Sequence, residues 1–231
     1  MKNSFLVILT LVGIQQINAQ FTRRDSLQGG LRIERTSYDV KRYDLNITIN
    51  PEQKSIKGFN EISFEVMVPT QKIQLDLFDN MKVDSIVWNT KKLKYNRDND
   101  AVFIDFPEKL ASKSNHKLKF YYSGNPKIAK NAPWDGGFVF KKDSNGKDFI
   151  GVAVQGTGAS LWYPVKDSQT DEPDNGASIK VAVPNGLMNV SNGRFLGSQD
   201  LKNDYTRWDW EVKNPINNYT ITVNIADYVH I

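Results

Sequence analysis

The sequence predicts an all-β fold, a sandwich or a broad curved sheet of mostly antiparallel strands, with meander connectivity favoured over crossovers. Three observations carry this expectation. Apolar residues recur with period two from Tyr38 to near the end of the chain, turn-forming clusters separate the apolar runs, and no stretch sustains a 3.6-residue period.

In chain order, the opening "MKNSFLVILTLVGIQQINAQ" has a lysine near its start, an apolar run from Phe5 to Ile14 and the small residue Ala19 before Gln20. That is the layout of a secretory signal peptide over residues 1–19, and the run is too short to span a bilayer. It predicts an exported protein, periplasmic or extracellular, whose mature chain starts at Gln20 and has no membrane span. Residues 20–37 show no clear period and read as an exposed lead-in.

From Tyr38 onward the alternation is plain. Tyr43, Leu45, Ile47 and Ile49 form one apolar face, and Ile62, Phe64, Val66 and Val68 form the next. The same reading applies to Ile73–Leu77, Val102–Phe106, Leu118–Tyr122, Ile150–Val154, Ile179–Val183, Trp208–Val212 and Tyr219–Ile225. Each is a half-buried strand with one wet face. "NPEQKSIKG", "RDND", "DSNGKD" and "SNGR" supply turns between them. Residues 38–231 are therefore read as a single β domain.

Composition narrows the chemistry. The 231 residues are 39% hydrophobic, enough for a sizeable core, and include no cysteine, which excludes disulfides, thiol catalysis and cysteine-held zinc in this chain. The net charge of +4 comes from scattered lysines, a solvated surface rather than a nucleic-acid footprint. The two histidines, His116 and His230, are far apart and form no H-E-x-x-H zinc motif, and no G-x-S-x-G elbow is present. His116 is expected at the wet start of a strand.

The stretch "GVAVQGTGASLWYPVKDSQTDEPD", residues 151–174, concentrates the remaining candidates. Gly156 and Gly158 give the backbone freedom to bend or to approach another surface closely, since the spacing fits neither a dinucleotide fingerprint nor a Walker loop. Asp167, Asp171, Glu172 and Asp174 offer two readings, a calcium loop or a solvated turn around Pro173, and the lack of alternate-residue ligand order favours the turn. Trp162 and Tyr163 either stack on a sugar or lie in the core, with burial favoured. Gln155 stands at a strand end before a glycine and brings one acceptor and two donors to a place where backbone comes close. On these grounds alone, an ordinary surface strand glutamine is the favoured reading. Asn46, Asn189 and Asn218 head N-x-S/T sequons.

"YDVKRYDLNITINPEQKSIKGFNEISFEV", "APWDGGF", the 151–174 stretch, "VPNGLMNVSNGR" and "WDWEVKNPINNYTITVNIADY" occur in this order. Together they resemble the N-terminal domain of the aminopeptidase N and leukotriene hydrolase family of zinc metallopeptidases, from about Tyr38 to the end of the chain. The resemblance implies a saddle-shaped, mostly antiparallel β domain that precedes a thermolysin-like catalytic domain. That domain of the same polypeptide is expected to carry the zinc ligands, the general-base glutamate and a Gly-x-Met-Glu-Asn type segment, none of which is found in this chain. On this expectation the chain holds no zinc and is inactive alone, and its partners are the catalytic domain and peptide substrates with a free N-terminus.

The same resemblance gives Gln155, nine residues before Pro164, contact with the substrate's α-amino group, with Gly156 beside it. Some relatives carry a second glutamine where Ala153 stands, which leaves pocket size open. A different class of function is a stand-alone secreted β-sandwich that binds carbohydrate or protein through Trp134, Trp162 and Tyr163.

Overall fold

The computed structural model describes residues 21–229, so the signal-peptide reading and His230 lie outside the described residues. Two short helices come first, α1 (Arg23–Gly29) and α2 (Ile33–Thr36). The strands follow as β1 (Tyr38–Asn50), β2 (Ser55–Val66), β3 (Thr70–Asp76), β4 (Met81–Trp88), β5 (Lys91–Lys92), β6 (Lys94–Asp98), β7 (Ala101–Leu110) and β8 (Asn115–Gly124). Then come β9 (Gly137–Lys142), β10 (Asp148–Ala153), β11 (Ala177–Pro184), β12 (Met188–Ser191), β13 (Arg194–Asp200), β14 (Tyr205–Val212) and β15 (Val223–Ala226).

They form three sheets. An eight-stranded sheet has the order β13-β14-β11-β1-β2-β8-β4-β5, a four-stranded one β12-β15-β10-β9, and a three-stranded one β3-β7-β6. The all-β expectation holds. Meander connectivity holds only locally, because β1 pairs with β11 in parallel, Tyr43 opposite Ala177 through Thr48 opposite Ala182. The chain between those two strands builds β3, β6, β7, β9 and β10 of the smaller sheets, a crossover that a local period cannot reveal.

One continuous apolar core joins the sheets. On β1, Tyr38 and Val40 are buried, and then Tyr43, Leu45, Ile47 and Ile49. The switch from even to odd positions occurs where the register against β2 shifts between Val40 and Arg42; the bulge adds a residue and resets which side chains face inward. On β2, Gly58 lets the neighbouring strand come close, since a Cβ there would stand 2.1 Å from the Asn46 carbonyl oxygen.

Several sequence expectations are corrected. The lead-in is not merely exposed: Thr22 and Asp25 form a reciprocal capping box that starts α1, Leu27 is buried, and Arg35 is buried and ion-paired with Asp76. The second strand stops at Val66, leaving Met67 and Val68 exposed. Tyr219 belongs to a 3-10 turn, Asn218–Thr220, because the Asn217 side chain caps it by accepting from the Tyr219 amide. β10 ends at Ala153, so Val154 and Gln155 lie beyond the strand.

Candidate functional site

Where β10 ends, the chain folds into a tight turn. The Val154 carbonyl accepts from the amides of Thr157 and Gly158, both at 3.0 Å, and from the Thr157 hydroxyl at 3.0 Å. Gly156 has φ +69° and Gly158 φ +85°, the left-handed region that glycine enters without a Cβ clash. Open space surrounds Gly156, which therefore serves the bend, whereas Gly158 also serves close approach: a Cβ on it would lie 2.2 Å from Asp167 Oδ2. Gln155 is exposed at the tip.

The turn forms one wall of an open cleft of about 610 Å³, shared with Gln28, Asp167, Gln169 and Tyr219. Gln28 comes from α1 and Tyr219 from the 3-10 turn, two elements that period-two reasoning did not find. The "TRRD" capping box was the available signal for α1. Amide side chains, the Tyr219 phenol and the Asp167 carboxylate thus share the cleft wall with the apolar side chain of Val154.

Asp167 ties this region together. Its Oδ2 accepts from the Ser160 amide at 3.0 Å and the Ser160 hydroxyl at 2.6 Å, and its Oδ1 from the Ala159 amide at 3.4 Å. Its own backbone is held from beneath: the amide donates to Asp76 Oδ2 at 3.1 Å and the carbonyl accepts from Arg35 Nη2 at 2.7 Å. Burial pushes the Asp76 carboxyl up to about 6, against the pull of Arg35 and the Gln74 hydrogen bond; the Asp167 carboxylate adds to the rise.

The acidic run is not the solvated turn that its composition suggests. Asp167 and Asp171 face inward, and Asp171 is buried and ion-paired with buried Lys166; burial raises its carboxyl above the ordinary range although Lys166 opposes this. Lys166 Nζ also donates to the Tyr38 carbonyl at 2.7 Å, and Asp174 accepts from Lys41 at 2.7 Å. These carboxylates have internal partners. Among the described residues no group of three or more histidine, cysteine or acidic side chains is arranged to hold a metal ion.

Trp162 and Tyr163 are fully buried, their rings 4.6 Å apart edge to face, and Tyr163 donates to the Asn218 carbonyl at 2.8 Å. Burial, the favoured reading, is what the structure has. Of the three aromatics proposed for a carbohydrate platform, only Trp134 is accessible, at 73% exposure. His116 sits at the start of β8, half-buried between Phe64 and Trp88, and burial lowers its pKa. The sequon residues Asn189 and Asn218 are buried, and the Asn218 amide donates to the carbonyls of Lys166 and Ser168, both at 2.9 Å.

The fold and the cleft define a β domain that presents a braced turn at an open groove. The family model for the peptidase M1 N-terminal domain matches residues 39–220, and the chain belongs to that family. A crystal structure of an M1 zinc metallopeptidase from Deinococcus radiodurans shares the fold with a TM-score of 0.69 at 19% identity, over 82% of this chain and 42% of that one. A mutant of the enzyme from the same organism bound to a Tyr-Ser-Ala substrate, and a two-domain M1 zinc metallopeptidase mutant bound to L-arginine, match with the same values. The chain thus spans less than half the length of the solved structures it matches. No curated protein matches the sequence.

Proposed function

We propose that this chain is the N-terminal domain of an exported zinc aminopeptidase and that Gln155, with Gly156 beside it, helps form the site for the substrate's free N-terminus. In this reading a catalytic domain of the same polypeptide binds the zinc, which activates water and polarises the scissile carbonyl. The β domain packs on that domain, contributes one wall of the substrate site and is inactive alone. Export rests on the sequence of residues 1–19.

The observation that carries the reading is the placement of Gln155. It is exposed at the tip of a turn closed by three hydrogen bonds to one carbonyl, and it faces the cleft that Gln28, Gln169 and Tyr219 also line. Its amide oxygen is an acceptor for a substrate ammonium, and Gly156 leaves the approach open. A hydrogen bond to a charged group contributes about 1.5–3 kcal/mol, enough to favour a free amino terminus over an acylated one by about tenfold or more.

The test uses the polypeptide that carries both domains. Gln155→Ala should lower kcat/KM for peptides with a free N-terminus by about tenfold, with little change for N-acetylated analogues where those are cleaved at all. Unchanged kinetics remove Gln155 from the site. The purified β domain alone should neither retain zinc nor cleave aminoacyl substrates; zinc-dependent turnover by it would overturn the assignment of catalysis to another domain.

A further inference from the structure

We propose that Asp167 is the positioning residue for Gln155 and thereby a determinant of selectivity for free amino termini; this rests on the reading of Gln155 given above. Three observations converge on it. The Asp167 carboxylate collects the Ala159 and Ser160 amides and the Ser160 hydroxyl, the residues that follow the turn. It lies directly against Gly158, where φ is +85° and a Cβ would stand 2.2 Å from Oδ2. Its backbone is fastened on both sides to the buried Arg35–Asp76 pair, through the Asp167 amide and carbonyl.

The consequence is geometric. The turn has two ends, one fixed by the strand hydrogen bonds of β10 and the other by Asp167 at Gly158–Ser160. Gln155 sits between them on the exposed tip. A hydrogen bond to an ammonium discriminates only if its acceptor is held in place before substrate arrives, because ordering a long polar side chain and its turn offsets the gain. Asp167 supplies that order by holding Ala159 and Ser160, the residues that follow the turn. The buried pair beneath it extends the support to α2, so the segment before β1 is part of the site's scaffold.

The test is a double-mutant cycle in the two-domain enzyme. Asp167→Asn keeps the side-chain size but removes the charge and replaces one acceptor oxygen by a donor that must face an amide of Ala159 or Ser160. It should raise KM for a free-amino peptide by about tenfold while kcat stays within about twofold, and it should narrow the preference over the N-acetylated peptide by the same factor. In a Gln155→Ala background the same change should alter KM by less than about twofold, since there is no longer an acceptor to misplace. Ser160→Ala, which removes only the 2.6 Å hydroxyl contact, should reproduce the pattern in smaller size and guards against an Asp167 variant that does not fold.

Additive effects of Asp167→Asn and Gln155→Ala, or equal losses on free and acetylated peptides, would overturn the proposal while leaving Gln155 in the site. If Gln155→Ala by itself changes nothing, the reading of Gln155 fails and Asp167 has nothing to position.

Discussion

Arg35 donates to Asp76 across 2.9 Å with both side chains buried, which joins the short helix α2 to the end of β3. Asp76 also accepts from Gln74 at 2.6 Å and from the Asp167 amide, so its lone pairs are shared among three donors. Removing one partner of such a pair leaves a desolvated charge behind, which costs about 3–5 kcal/mol. Arg35→Met should therefore destabilise the domain by about that much in urea unfolding near pH 7.5. Lys82→Ala, which breaks an exposed pair with Asp84, should change stability by less than about 1 kcal/mol. Equal effects from the two variants would contradict the burial argument.

The same carboxyl sets a pH dependence. Asp76 lies at about 6 in the folded protein against an ordinary 3.8, because burial outweighs Arg35 and Gln74 while the Asp167 carboxylate adds to the rise. Between those values the folded protein holds a proton that the unfolded chain has released. The stabilising contribution is thus complete below about pH 4 and is lost as pH rises through about 6. Two pKa units correspond to about 3 kcal/mol. Buried Asp171 and Asp100 are also raised, so the measurement to make is the difference between wild type and Asp76→Asn. That difference should fall by about 2 kcal/mol between pH 4 and 6, most of the total of about 3, and be flat from 7 to 8; a rise over the lower window would reverse the assigned direction of the shift.

Tryptophan emission separates the two readings of the aromatic residues. Trp134 is 73% exposed, whereas Trp162 is fully buried and packs 6.1 Å from Phe138. Iodide should quench a component of the emission that disappears in Trp134→Phe and persists in Trp162→Phe. Trp162→Ala should cost about 3–5 kcal/mol as a cavity, while Trp134→Ala should cost under about 1 kcal/mol. A glycan that shifted the emission of Trp162 without unfolding the domain would contradict its place in the core.

Period two revealed strands whose alternation is unbroken, such as the 43–49 run of β1 and Ile179–Val183 of β11. It overlooked β4, where Met81 and Val83 face inward, then Ile86 and Trp88, because a bulge between Val83 and Ser85 shifts the parity. The short helices escaped because seven and four residues cannot display a period of 3.6, although Thr22 and Asp25 carried the cap signature. At the site, Gln155 was legible only through resemblance, since an exposed glutamine beside a glycine is locally unremarkable. Asp167, by contrast, was visible as a residue but not as a partner. Its contacts with Arg35 and Asp76 span 132 and 91 positions of sequence, and only the folded chain brings them together.

The loop before β9 supplies the last prediction, because it touches the Gln155 turn from the other side. A Cβ added at Gly136 would stand 1.9 Å from the Thr157 hydroxyl and 2.9 Å from the Gln155 carbonyl oxygen. The hydroxyl can rotate away only by giving up its bond to the Val154 carbonyl, and the Gln155 carbonyl is backbone. Gly136→Ala should therefore displace the turn, costing about 1–3 kcal/mol in stability as overpacking does. Thr157→Ala clears the nearer obstruction, so the double variant should be less destabilised than the sum of the two single changes, by about 0.5 kcal/mol or more. On the proposed reading of Gln155, Gly136→Ala in the polypeptide carrying both domains should also raise KM for free-amino peptides more than for acetylated ones, because the backbone that carries Gln155 would move. Additive stabilities and an unchanged substrate preference would mean that this loop and the Gln155 turn do not meet as closely as the Gly136 contact requires.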